Sequence, residues 1–115
     1  MGVLHIVMYE FKPLATPEEI TSVCNSMLSL KEKCLHPDTN RAYIKSVVGG
    51  ADTSEEGLQD GTTHVFVYEF ETAEDRKVYL ERDVVRREVV GRNEGVVERV
   101  RVVDFEPGVW GSRVR

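Results

Sequence analysis

The stretch DGTTHVFVYEFET, residues 60–72, carries the reading of the fold. From Thr63 to Phe70 it alternates with a period of two, as a strand does. His64, Phe66, Tyr68 and Phe70 fall on one side, and Val65, Val67 and Glu69 on the other. Thr72 then provides an N-cap, with Glu74 and Asp75 in the first turn of a helix that carries Val78, Tyr79 and Leu80. The same pattern occurs near the start of the chain. VLHIVMYEF, residues 3–11, places Val3, His5, Val7, Tyr9 and Phe11 on one face and Leu4, Ile6, Met8 and Glu10 on the other. Both sets are largely apolar, so this strand is expected to be covered on both sides.

Working outward, KPLATPEE ends the first strand. Thr16, Pro17 and Glu19 form a capping-box signature for a helix running to about Lys33, with Ile20, Val23, Cys24, Met27 and Leu28 at helical spacing. HPDTN breaks that helix. Tyr43 to Val48 reads as a short strand closed by Gly49–Gly50, and ADTSEEGLQDG as a polar loop. Asp83 is positioned to cap a further helix to about Asn93, with Val85 and Val89 inward. Val97 to Phe105 is the last strand, with Val100 and Val102 on one side and Arg99, Arg101 and Val103 on the other.

The order β-α-β-β-α-β is the ferredoxin-like, split βαβ arrangement of the α+β class. It puts helices on one face of a four-stranded antiparallel sheet. Leu4, Ile6, Met8, Val65 and Val67 are left on the other face with no helix to cover them. A second copy of the chain is the economical cover, so a homodimer is expected.

The chain has 115 residues, room for one domain, expected over residues 1–107 with an extended tail at 108–115. Its net charge of -5 argues against nucleic acid as a partner. The arginines of RDVVRREVVGRNEGVVERVR alternate with acids, as on a solvated, salt-bridged face. Cys24 and Cys34 match no C-x-x-C or zinc spacing and are expected to be reduced thiols; no metal site is expected. There is no signal-peptide pattern and no apolar run of bilayer length, so no membrane association and a cytoplasmic location are expected.

HIVMYEFKP, EEI in the first helix, EEGLQDGTTHVFVYEFET and VRVVDFEPG together resemble the stress-responsive A/B barrel family, over residues 2–107. The resemblance implies two ferredoxin-like subunits whose sheets meet back to back in a dimeric α/β barrel. Some members resemble plant stress proteins without settled chemistry. Others are cofactor-free enzymes, a polyketide cyclase and a hydroxynitrile lyase, with a pocket between sheet and helices that uses His and Tyr as acids and bases. On that resemblance His5 and His64 match two strand histidines of the cyclase, and Tyr79 a tyrosine before its H-P-x-H segment. That segment is replaced here by RDVV, Arg82 to Val85, which puts Val85 where the cyclase has its base. Met27 stands where the cyclase has a pocket tyrosine.

From the residues themselves, His is the side chain whose pKa suits proton transfer near neutrality. Tyr9 and Tyr68 follow His5 and His64 by four residues, on the same faces. If the two strands are neighbours, two His and two Tyr are expected around one cavity, one His taking a proton while a Tyr donates to an oxyanion. Val7, Phe66, Phe70 and Met27 are expected to line it for a small hydrophobic ligand. The alternatives are structural: histidines that cap strand starts, and tyrosines that fill the core. His36 is expected in a solvent-exposed loop, and Glu81 and Asp83 as helix-end charges. Cofactor-free cyclase, lyase or isomerase chemistry on a hydrophobic carbonyl or phenolic compound is one expectation, and a non-catalytic stress-related or ligand-binding protein is the other.

Overall fold

The computed structural model describes residues 2–111. The elements are β1 (Val3–Phe11), α1 (Pro17–Lys33), β2 (Ile44–Ala51), β3 (His64–Phe70), α2 (Ala73–Glu81), α3 (Val84–Asn93) and β4 (Val97–Phe105). The strands form one antiparallel sheet in the order β2-β3-β1-β4, the ferredoxin-like order. The helical layer is in two pieces after β3, because Arg82 and Asp83 end α2 and start α3.

Local chemistry sets the helix starts. Thr16 Oγ1 accepts from Glu19 N at 3.1 Å while Glu19 Oε1 accepts from Thr16 N at 2.9 Å, the reciprocal capping box. Thr72 Oγ1 accepts from Asp75 N at 3.1 Å, and Asp83 Oδ1 from Arg86 N at 3.0 Å. β2 runs further than its sequence suggested. Gly49 and Gly50 continue the ladder to Ala51, opposite Phe66 and Val65. A Cβ at Gly49 would stand 2.7 Å from the Phe66 ring, so this glycine admits a close approach rather than ending the strand.

The core lies between the sheet and the helices. Tyr9, Phe11, Phe66, Tyr68 and Phe70 from the sheet meet Val23, Met27 and Leu30 of α1, Tyr79 of α2 and Val89 of α3. β1 alternates buried and half-buried along its whole length. On the helix-free face, Leu4, Ile6, Met8, Val65 and Val67 are half-buried, and Val48, Val103 and Phe105 stand out as exposed apolar neighbours. Val100 and Val102 of the edge strand β4, on the helix side, are also about half exposed. Beyond β4, at the head of the expected tail, Pro107–Gly108 forms a turn, closed by Val109 N donating to Glu106 O at 3.1 Å. The remainder of that tail, residues 112–115, lies outside the described residues.

Candidate functional site

Antiparallel pairing of β1 with β3 separates the two histidines. His5 lies opposite Tyr68, and His64 lies opposite Tyr9. At ~3.4 Å per residue that is about 14 Å along the sheet, so the expected convergence of both His–Tyr pairs on one cavity does not occur. Each strand's tyrosine sits at the other strand's histidine instead.

At the His5 end the ring is 3% exposed. Its Nδ1 donates to Asp104 Oδ1 on β4 at 2.8 Å. The other oxygen of Asp104 accepts from an Arg76 guanidinium nitrogen at 3.1 Å, from α2. A carboxylate at Nδ1 fixes the neutral tautomer with the proton on Nδ1, so Nε2 carries the free lone pair. Burial lowers the His5 pKa, and the hydrogen bond and charge of Asp104 offset this only in part. His5 is therefore a neutral imidazole at pH 7 with an accepting nitrogen, which is the state of a general base.

Tyr79 is the hub beside it. Its ring meets His5 edge-on at 5.8 Å and packs on Tyr68 at 5.6 Å and Phe70 at 5.2 Å. Arg86 Cζ lies 5.3 Å from the Tyr79 ring centre. Burial pushes the Tyr79 hydroxyl pKa well up, so it stays a proton donor. Tyr68 is shifted up by burial too, but its hydroxyl is committed to Met27 O at 2.8 Å. Tyr9 accepts from Asn93 Nδ2 at 3.4 Å and points at Met27 Sδ at 3.7 Å. Val7, Phe66, Phe70 and Met27 are packed into the core, each 6% exposed or less.

The His64 end differs. His64 is half-buried, edge-on to Phe11 at 4.9 Å, and its Nδ1 lies 3.0 Å from Thr63 Oγ1. That hydroxyl donates to Tyr9 O and accepts from Phe11 N, each at 3.2 Å. Burial lowers the His64 pKa. This is a strand-entry hydrogen-bond cluster without a carboxylate.

The remaining candidates sit elsewhere. His36 is half-buried, where exposure was expected, because its ring packs edge-on to Tyr43 at 5.5 Å. Asp83 is buried, caps α3 and accepts from the Tyr43 hydroxyl at 2.5 Å. Glu81 is exposed at the end of α2. Val85 is half-buried against the core. Cys34 is buried, which pushes its thiol pKa up to about 12, and both cysteines are free. No group of three or more metal-binding side chains occurs among the described residues, and none of their helices is long and apolar enough to cross a membrane.

Asp104, Arg76 and Arg86 were not among the sequence candidates. Only Asp104 left a signal. It shares parity with Val100 and Val102, and ferredoxin-like topology puts that strand beside the first, on the His5 face.

Known structures share this fold. An Arabidopsis thaliana protein is 27% identical, with a TM-score of 0.80 over 95% of this chain and 98% of its own. The hydroxynitrile lyase from Passiflora edulis is 18% identical, also at TM-score 0.80, over 95% of this chain and 96% of its own. A dimeric ferredoxin-like protein of unknown function from Jannaschia is 15% identical, at TM-score 0.72, over 92% and 99%. The last two show likeness of fold. No curated protein matches the chain. The model of the stress responsive A/B barrel domain matches residues 3–107, and the chain belongs to that family.

Proposed function

We propose that the protein takes up a small hydrophobic carbonyl or phenolic compound at the His5 end of the sheet and moves a proton on it, as a cofactor-independent lyase, cyclase or isomerase does. The carrying observation is the buried His5 held at 2.8 Å by Asp104, with Nε2 left to accept. In the proposed step Nε2 takes a proton from the carbon beside the substrate carbonyl. The imidazolium is stabilised by Asp104, and the Tyr79 hydroxyl donates to the enolate oxygen. Tyr68, Val7, Phe66, Phe70 and Met27 serve as the apolar floor, and Tyr9, at the His64 end, only packs the core. His64 takes no part and closes the entry of β3. The fold shared with the Passiflora edulis hydroxynitrile lyase supports the reaction class. Free Cys24 and Cys34 suit a cytoplasmic protein.

Proton exchange tests this without knowing the substrate. The protein is incubated in D2O with hydrophobic ketones and 1,3-dicarbonyl compounds, and deuterium uptake beside the carbonyl is followed by mass. The expected result is uptake above the buffer rate, lost in His5→Gln and kept in His64→Gln. Uptake no faster than buffer, or unchanged in His5→Gln, rejects catalysis. It would leave the second reading, a non-catalytic binding protein, which Val85 at the position of the cyclase base favours.

The helix-free face supports a homodimer. Leu4, Ile6, Met8, Val65, Val67 and Val103 form a continuous apolar surface there, as the strand registers show. Such a surface on a small domain calls for a partner. The Jannaschia relative is dimeric. Light scattering at micromolar concentration is expected to give twice the chain mass, and the mass of one chain for Val67→Asp. A single-chain mass for the unaltered protein removes the dimer.

A further inference from the structure

Arg86 is out of place for stability alone. It occupies the first turn of α3, a turn without acidic residues, whereas α1 and α2 begin with Glu18, Glu19, Glu74 and Asp75. A cation at that end opposes the helix dipole. Arg76, Arg82, Arg99 and Arg101 each pair with a carboxylate. Among the other described arginines, Arg41, Arg87 and Arg92 are exposed to water, and Arg86 alone is half-buried without such a pair. Asp83, the cap of that helix, has its two oxygens committed to the Arg86 backbone N–H and the Tyr43 hydroxyl. The guanidinium instead lies over the Tyr79 ring, with Nε fully enclosed and without a hydrogen-bond partner. An enclosed N–H without an acceptor is costly, and an acceptor from outside the chain removes that cost.

The location points to the acceptor. Tyr79 links Arg86 to His5, and the Arg86 charge reaches both. Burial dominates the shift of each, but the charge also disfavours protonated His5 and favours ionised Tyr79. A guanidinium held over an aromatic face is placed to donate to the oxygens of a planar anionic group. We propose that Arg86 is the anion-recognising group of this site, and that its ligand carries a carboxylate or enolate-type oxygen on a hydrophobic body. The inference rests on the His5 end being the ligand site and names the charge of what binds there.

A matched pair of probes tests it: 4-butylbenzoate and 4-butylbenzamide, alike in shape and different in charge. Affinities are read from the Arg86 Nε–H resonance and from the His5 ring resonances. The expected result is binding of the benzoate about tenfold or more tighter than the amide, with the Arg86 Nε–H displaced. In Arg86→Gln the two affinities should come within about twofold, while Arg86→Lys keeps part of the preference as a point charge. Arg86→Gln should melt close to the unaltered protein, because loss of the contact with Tyr79 is offset by removal of a cation from a helix start. Equal affinities in the unaltered protein overturn the proposal, as does binding of neither compound at millimolar concentration. An unmoved Arg86 Nε–H, as an enclosed water would leave it, also overturns it, and so does a preference that survives Arg86→Gln. Should His5 drive deuterium uptake while the two probes bind alike, the Arg86 proposal alone fails. Should the benzoate be preferred through Arg86 while His5→Gln leaves uptake unchanged, the catalytic reading alone fails.

Discussion

His5 and His64 look equivalent along the chain and are not equivalent in space. Each lies near the start of an apolar strand and is followed four residues later by a tyrosine on the same face. The His5 ring is buried, held by a carboxylate and surrounded by Tyr68, Tyr79 and two arginines. The His64 ring is half-buried and meets only a threonine hydroxyl and the edge of Phe11. The difference comes from what each strand end faces. β1 brings His5 beneath α2 and beside the end of β4, where Asp104 emerges. His64 begins β3, where the polar loop enters. Chemistry of the acid–base kind needs an orienting partner, and only one of the two ends provides it.

The largest way to disturb the contrast is to remove the floor of the His5 end. Phe70→Ala deletes a fully buried ring packed on Tyr79 and is expected to cost about 3–5 kcal/mol in denaturant unfolding. A loss well under 1 kcal/mol would mean that this ring lines open space instead of core.

Next is the carboxylate. Asp104→Asn is expected to cost about 1–3 kcal/mol, because it disturbs a buried imidazole and frees Arg76. It should also lower the His5 pKa further, since Asp104 is what raises it against burial. His64 should titrate as before. A rise in the His5 pKa would break the account of that end.

A pH series follows. Both folded-state values lie below the ordinary histidine value of 6.5. Below pH 6.5 the unfolded chain therefore binds more protons than the folded one. The contribution of each histidine to stability is fully present above pH 6.5 and declines with acid until the folded ring itself titrates. At His5 the opposing charges are Asp104, which favours protonation, and Arg76 and Arg86, which disfavour it. Melting temperature should fall between pH 6.5 and 5, and more gently in His5→Gln. Equal slopes for the two proteins would show that His5 is not depressed. The smallest effect is expected for His64→Gln, within about 1 kcal/mol, the size of one half-exposed hydrogen bond. A larger loss would make that end the better organised of the two.

Much of the fold was legible in the residues. The bounds of β1 and β4, the Thr16–Glu19 box, and the caps at Thr72 and Asp83 follow from periodicity and local hydrogen bonding, which act over a few residues. Gly49–Gly50 misled because a glycine pair reads as a break, and only the Phe66 ring above Gly49 explains why it continues a strand. The site was legible in part. The identities of His5 and Tyr79 were visible, but strand register was not, so two histidines on one face looked like neighbours. Asp104 lies 99 residues from His5 and Arg76 lies 28 from Asp104, so their meeting is decided by pairing and helix docking rather than by any motif. Arg86 reads along the chain as one more charge in an alternating run. Its meaning appears only where α3 turns it over Tyr79.

The central claim is that His5, and not His64, is a neutral imidazole locked by Asp104 with Nε2 free. Long-range proton–nitrogen NMR of the ring nitrogens tests it most directly. The account predicts that at pH 7 His5 carries its proton on Nδ1 and has an unprotonated Nε2. It also predicts a titration midpoint below 6.5, and loss of the fixed tautomer in Asp104→Asn. A proton on His5 Nε2, or a freely exchanging tautomer mixture indistinguishable from that of His64, would contradict it.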